Sequence, residues 1–376
     1  MRPHEAFICD LLKMRFKGTP ATPPEALDRP AFFKIIKAHE IGPLLYQPLK
    51  ELNIDETFIK YPKEAYYRAA EINTRQNALY DKVRRRLNKE KIRHLPIKGI
   101  VLEWFYTPRF VRTKGDIDVL VDEAKIARVD AALKDMGFTR ESTGEAHDVY
   151  KKFPLLLEVH KRLFPASSTY QAVFRDVWDF TRIEEGYTYA LEIEAHMAYV
   201  LAHIAKHFKS AGAGLRMLYD LAVLLETEHD NARFIAFVEA LGLKTFYRSL
   251  ADLAARLLGA DTEKGYLDKA TEEALALHML RSGTFGLDNP AQIETVRTAR
   301  EGTVAYYLKK AFLPFSSLKY RYPFLKKAPF LYPFVLAYRN AKLLFSPRMR
   351  RRVFARRTRD EKRHVKALYR QIGLED

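Results

Sequence analysis

Hydrophobic positions change their spacing along this chain, and the changes mark out its parts. Up to about residue 90, apolar residues recur at intervals of three and four, as in AFFKIIKAHEIGPLLYQPL, which is the period of an amphipathic helix. Gly42-Pro43 interrupts that run. From Glu64 to Ile92 there is no Gly or Pro and good helix formers dominate, so one long helix is expected. The pattern then shortens. HLPIKG is a brief apolar run closed by Gly, and IVLEWFY makes a helical turn or two before Pro108. GDIDVLVD alternates and then becomes β-branched, the signature of a strand. EAKIARVDAALKDMG reads as a short amphipathic helix capped by Gly137. FTRES, HDVYKKF and LLLEVHKRL are strand-like. From Ala195 the helical spacing returns, through EAHMAYVLAHIAKHF, LRMLYDLAVLLETEH and three further segments.

The expected fold is α+β: a small mixed β-sheet core with helices, flanked by N-terminal helices and a C-terminal helical domain. The expected divisions are residues 1–90 (helical), 91–165 (α/β core), 166–300 (helical) and 301–376 (basic and aromatic).

Composition narrows the picture. The 376 residues are 48% hydrophobic and 30% charged, an ordinary globular mixture. The single cysteine, Cys9, excludes an internal disulfide framework and a Cys-based zinc cluster. Glu5 and Asp10 break any signal-peptide core at the start. The most apolar late stretch, Ala328 to Phe345, contains Pro329, Pro333, Arg339 and Lys342, which disqualifies it as a spanning helix of roughly 18 or more apolar residues. A cytoplasmic location is expected, with peripheral membrane attachment left open. The net charge is +17, and most of it lies in the tail: from Glu301 to Asp376 there are nineteen Lys and Arg against five Asp and Glu. Aromatic residues between Tyr306 and Phe345 are numerous enough to form core, so packing is expected there. For residues 349–370 a polyanion, a nucleic acid among them, or an anionic membrane surface is the expected partner. A docked helix with a solvated basic face is the plain alternative.

The chemistry concentrates in LPIKGIVLEWFYTPRFVRTKGDIDVLV. In Gly115-Asp116-Ile117-Asp118 the two aspartates sit at i and i+2, on one face of a strand. Ile117 between them points into the core. A third acid, Glu158, lies in the later strand LLLEVH, and a neighbouring strand brings it to the same place. Three acids on adjacent strands are what a two-metal phosphoryl or nucleotidyl transfer site requires. Upstream, Lys98-Gly99 ends a short strand. Gly admits close approach of a phosphate to its amide, and Lys98 supplies a point charge. The intervening loop carries Arg109, Arg112 and Lys114 within reach of a triphosphate. An Asp-x-Asp also occurs in glycosyltransferases, but there the apolar strand precedes the motif, whereas here it follows. His160 lines the same strand face as Glu158. His203 and His207 stand one helical turn apart, as do Arg216 and Asp220, the latter with the spacing of a helix ion pair.

The order Lys-Gly, short helix, Arg, Gly-Asp-x-Asp, helix, Gly-aromatic, Glu-x-His resembles the polymerase-β-type nucleotidyltransferase superfamily, and within it the uncharacterised nucleotidyltransferase family of bacterial proteins. The resemblance covers roughly Arg93 to Leu225. It implies a Mg²⁺-dependent (or Mn²⁺-dependent) enzyme that transfers a nucleoside monophosphate from an NTP, ATP by expectation, to an acceptor hydroxyl, with release of pyrophosphate. The acceptor could be a small molecule, a protein or RNA. Asp116, Asp118 and Glu158 match the metal-binding and catalytic acids. Lys98, Gly99, Arg112 and Gly115 match the phosphate-binding positions. Gly99 is followed by Ile100 where the superfamily has Ser, which removes one hydroxyl donor. That departure keeps an alternative in view: a decayed nucleotidyltransferase fold serving as a binding module through its basic tail.

Overall fold

The computed structural model describes residues 1–283, 303–344 and 359–374, together with position 296. The N-terminal part is helical: α1 (Pro3–Lys17), α2 (Arg29–Ala38), α3 (Gly42–Glu51) and α4 (Glu56–Lys89). The pair Gly42-Pro43 opens α3, where Pro costs no hydrogen bond because the first-turn amides have no helical partner. Helix α4 starts before Glu64. The Asp55 side chain caps it by accepting from the Thr57 amide, and Pro62 lies within it.

The central sheet has seven strands: β1 (His94–Ile97), β2 (Ile117–Val121), β3 (Thr139–Thr143), β4 (His147–Lys152), β5 (Leu155–His160), β6 (Thr181–Glu185) and β7 (Thr188–Leu191). Their spatial order is β3-β4-β5-β2-β1-β7-β6. Strands β2 and β5 run parallel, as do β1 and β7, and the other neighbouring pairs are antiparallel. The sheet therefore continues past residue 165, into a stretch expected to be helical. Strands β6 and β7 are short and carry charges (TRIEEGYTYAL), so they lack the apolar run that marks a buried strand.

Short helix α5 (Gly99–Leu102) follows β1, and α6 (Ile126–Asp135) follows β2. One face of the sheet is covered by α4 and α6. Tyr80, Val83 and Leu87 from α4 and Val129 and Leu133 from α6 meet Ile117, Val119, Val121, Leu157 and Val159 there. Ile117 is fully buried, as its place between the aspartates implies. The other face, through Leu95, Ile97 and Leu120, joins the larger helical core. That core is built largely from α8 (Ile193–Ser210), α9 (Leu215–Leu225), α10 (Asn231–Ala240), α11 (Lys244–Leu258) and α12 (Lys269–Arg281), with α7 (Thr169–Val173) at its edge.

The tail is described in two segments. In the helix Arg359–Gln371 and the residues after it, Leu368, Tyr369, Ile372 and Leu374 are buried in the helical core, and the Tyr369 hydroxyl donates to the Phe208 carbonyl at 2.6 Å. Residues 359–374 are thus docked on the helical core by one face, with Arg363, Lys366 and Arg370 exposed on the other. Residues 349–358 of the expected polyanion-binding segment lie outside the described residues. Among the described residues between 303 and 344, Leu318, Leu325 and Val335 form a small core of their own, while five aromatic side chains stay exposed. The expectation that this half packs as core is corrected to that extent.

Candidate active site

Strand register assembles the site. On the parallel pair β2 and β5, Asp118 stands directly opposite Glu158 and Leu120 opposite His160. On the antiparallel pair β4 and β5, His147 stands opposite His160. The period of two then puts Asp118, Glu158, His160 and His147 on one face. Asp116 precedes β2 by one residue, on the same side. These groups line a cavity of about 330 Å³, together with Lys98, Gly99, Arg112 and Gly115. The opposite wall is α8, with His203, Lys206 and His207.

Asp118 is buried and has two nitrogen partners. The Lys98 ammonium donates to its Oδ1, and His160 Nε2 lies 2.8 Å from the same oxygen. Burial alone would raise its pKa, but Lys98 and His160 together hold it well below the usual carboxylate range. Lys98 is raised in turn: burial lowers it, but the charge and hydrogen bond of Asp118, with Tyr199 and Glu158, together outweigh burial. Asp116 behaves oppositely. Burial, then the charges of Asp118 and Glu158, push its carboxyl up to about 6. Two neighbouring acids are thus driven to opposite protonation tendencies, which is a frequent property of reactive sites.

His160 Nε2 also lies 3.4 Å from Glu158 Oε2, so one imidazole nitrogen touches two of the three acids. Its pKa is raised by these carboxylates against the effect of burial. His147 Nε2 is 3.8 Å from Glu158 Oε1, and burial lowers its pKa. One ligand atom each from His147, Glu158 and His160 lies within 4.8 Å of the others, an arrangement able to hold a metal ion.

Lys98 has φ 55° and ψ −126°, a conformation that ordinarily belongs to glycine. A lysine kept there costs of order 1–3 kcal/mol, and it aims the ammonium at Asp118. Gly99 is packed tightly: a Cβ would lie 3.3 Å from the Lys114 Cβ and 3.6 Å from Arg112 Nη1.

The three cations of the intervening loop separate. Arg109 stacks on Trp104. Lys114 is buried on Glu103, which also accepts from Asn73 at 2.6 Å and Asn77 at 2.8 Å. Arg112 grips Asp220 of α9 with both arms of its fork, at 2.8 and 2.7 Å, and Tyr106 donates to the same carboxylate at 2.7 Å. Asp220 is therefore paired across the fold rather than with Arg216. Arg216 reaches Glu40 at 2.6 Å and Thr113 Oγ1 at 2.9 Å.

On α8, His203 and His207 share an Nε2···Nε2 hydrogen bond of 3.0 Å. Burial and the nearby Lys98 and Lys206 charges lower both: His203 falls well below its ordinary value and His207 to about 4. They are neutral at pH 7. Lys206 makes no ion pair among the described residues. Sequence reasoning passed over Lys206 and His147. Each is one residue in an ordinary amphipathic or alternating stretch, and only the register of β4 and the facing of α8 bring them to the acids.

The match to the family model for an uncharacterised nucleotidyltransferase spans residues 25–259. The chain belongs to this family. No curated protein and no solved structure matches it. The family span includes α4, all seven strands, α8 and α9, so every group described around the cavity lies inside it. Membership carries the general chemistry of a nucleotidyltransferase, with an NTP as substrate and a divalent metal.

Proposed function

We propose that the chain is a Mg²⁺- or Mn²⁺-dependent nucleotidyltransferase that moves a nucleoside monophosphate from an NTP, ATP in the first instance, onto an acceptor hydroxyl in the cytoplasm. The observation that carries this reading is the facing of Asp118 and Glu158 across two parallel strands, with Asp116 beside them and Lys98 and Lys206 lining the same cavity. The donor set fits divalent metal: three carboxylates suit Mg²⁺ or Mn²⁺. Asp116, Asp118 and Glu158 would hold the ions, which supply charge to steady the phosphates and to acidify the acceptor hydroxyl.

The remaining roles fall to the chain. Lys98, the Gly99 amide and Lys206 meet the β- and γ-phosphates, and Arg112, tied to Asp220 and to the Thr113 carbonyl, holds the loop that leads into Asp116. The acceptor oxygen attacks the α-phosphorus, the bond to the β-phosphate oxygen breaks, and pyrophosphate leaves. Glu158, assisted by the neutral His147 beside it, receives the acceptor proton. His160 fixes the orientation of Asp118 and Glu158 together. Neutral His203 and His207 add no charge that would repel metal.

The test is calorimetry of ATP binding with and without Mg²⁺, on the wild type and on Asp116→Asn/Asp118→Asn. Metal-dependent binding that the double variant loses supports the reading. Wild-type affinity in the double variant overturns it.

A further inference from the structure

The segment from Thr303 to Leu344 lies outside the family match and leaves a row of side chains exposed among the described residues. In the helix Tyr332–Leu344, Val335 is buried and Tyr332 and Leu336 pack beside it, against Leu318 and Leu325. The exposed positions are Pro333, Phe334, Ala337, Tyr338, Ala341 and Lys342. Their spacing of three and four places them along one side of the helix. The outward side of a solvent-facing helix is normally polar. Here it is apolar for its whole length except Lys342. Phe334 is 71% and Tyr338 60% exposed. Just before the helix Phe330 is 74% exposed, and Phe324 and Phe312 are exposed as well. Single exposed apolar residues are unremarkable, but a contiguous set signals an interaction surface.

Charge identifies the partner. Between Thr303 and Leu344 there are eight Lys and Arg and no Asp or Glu. A second copy of the same face would bring cations against cations, with no acid to offset them. Single-stranded nucleic acid requires cations interleaved with stacking rings, whereas Phe334, Ala337, Tyr338 and Ala341 make an uninterrupted apolar strip. A lipid surface suits both features: rings enter at headgroup depth while Lys side chains reach the phosphates. Among the described residues no helix is long and apolar enough to cross a membrane.

We infer that Phe324–Lys342 is an interfacial docking surface that seats the protein on an anionic lipid bilayer. This moves the expected membrane contact from residues 349–370 to a segment N-terminal to them. It is independent of the nucleotidyltransferase reading.

The experiment is co-sedimentation of the full chain with vesicles of phosphatidylcholine alone or with about one-third phosphatidylglycerol, at roughly physiological salt. Three proteins are compared: wild type, Phe330→Ser/Phe334→Ser/Tyr338→Ser, and Lys327→Glu/Lys342→Glu. Circular dichroism checks that each is folded, and the changed side chains are exposed. Wild type should pellet with the anionic vesicles and stay with the supernatant of the neutral ones, and both variants should bind at least tenfold more weakly. Failure of the wild type to pellet overturns the inference. So does undiminished binding of the aromatic variant, which would mean charge alone, or equal binding to neutral vesicles. A dimer that the aromatic variant abolishes, without vesicle binding, overturns it in favour of a self-contact.

Discussion

Asp116→Asn should make the metal-free protein more stable at neutral pH and leave it unchanged in acid. The Asp116 carboxyl stands at about 6 against an ordinary 3.8, through burial first and then the charges of Asp118 and Glu158. A difference of about two pKa units is worth about 3 kcal/mol. The sign comes from proton linkage. Between the unfolded value of 3.8 and the folded value of about 6, the folded chain keeps a proton that the unfolded chain has lost. Stability therefore falls as pH rises through that window. Above it both states are ionised and the folded state bears the whole penalty; below it both are protonated and the penalty disappears. Asn cannot ionise, so the variant should gain on the order of 3 kcal/mol over wild type at about pH 7.5 and almost nothing at about pH 3. Lys98, Arg112, Asp118, Glu158, His147 and His160 face the same cavity in both proteins, so the difference between them isolates residue 116. Urea denaturation in EDTA across this pH range measures it. Adding Mg²⁺ at neutral pH should stabilise the wild type and not the variant. A variant less stable than wild type at neutral pH, or a difference that stays constant from acid to neutral pH, would refute the reasoning.

Arg112→Ala strands the buried Asp220 charge and should cost about 3–5 kcal/mol in urea denaturation; Arg112→Lys should recover little of it, because the two carboxylate oxygens are gripped by a fork. Lys98→Gly and Lys98→Ala both lose the ammonium on Asp118, but only Gly relieves the backbone at φ 55°. The Gly variant should therefore melt higher, by an amount worth about 1 kcal/mol or more, and the reverse order would show that the backbone is not held there. Truncation after Ser346 removes Leu368, Tyr369, Ile372 and Leu374 from the core, at about 1.5–3 kcal/mol for each large apolar side chain. The shortened protein should unfold earlier and bind a hydrophobic dye, and an unchanged melting curve would show that the last helix contributes nothing to the body.

The acids were legible in the sequence because a strand has a fixed period. Asp116 and Asp118 flank an apolar residue, and the structure buries that residue, Ile117, completely. The strand around Glu158 announced itself by LLL. The long helix α4 was legible in the same way, although its start was missed because Asp55 caps it ahead of Pro62. What failed to show was anything set by pairing across the chain. Strands β6 and β7 gain their identity from lying beside β1, not from their own composition. His147 reaches the cavity through register with His160. Asp220 looked like a local helix partner of Arg216 until Arg112 and Tyr106 arrived from the loop after α5. In the tail, aromatic content suggested core, but five of the aromatic side chains between 303 and 344 are exposed.

The tie between Arg112 and Asp220 joins positions 108 residues apart in the chain, and this gives the site a place in time as well as in space. As the chain is synthesised, the strands bearing Asp118 and Glu158 emerge long before α9. Until α9 arrives, Arg112 lacks the carboxylate that its fork grips, and α8 lacks one of the helices that pack on it. Contacts this distant in sequence are slow to close, because the intervening loop must be ordered first. The acids can thus be in register on their sheet while the cavity around them still lacks its far wall, and the site becomes complete only when the helical half of the family core docks.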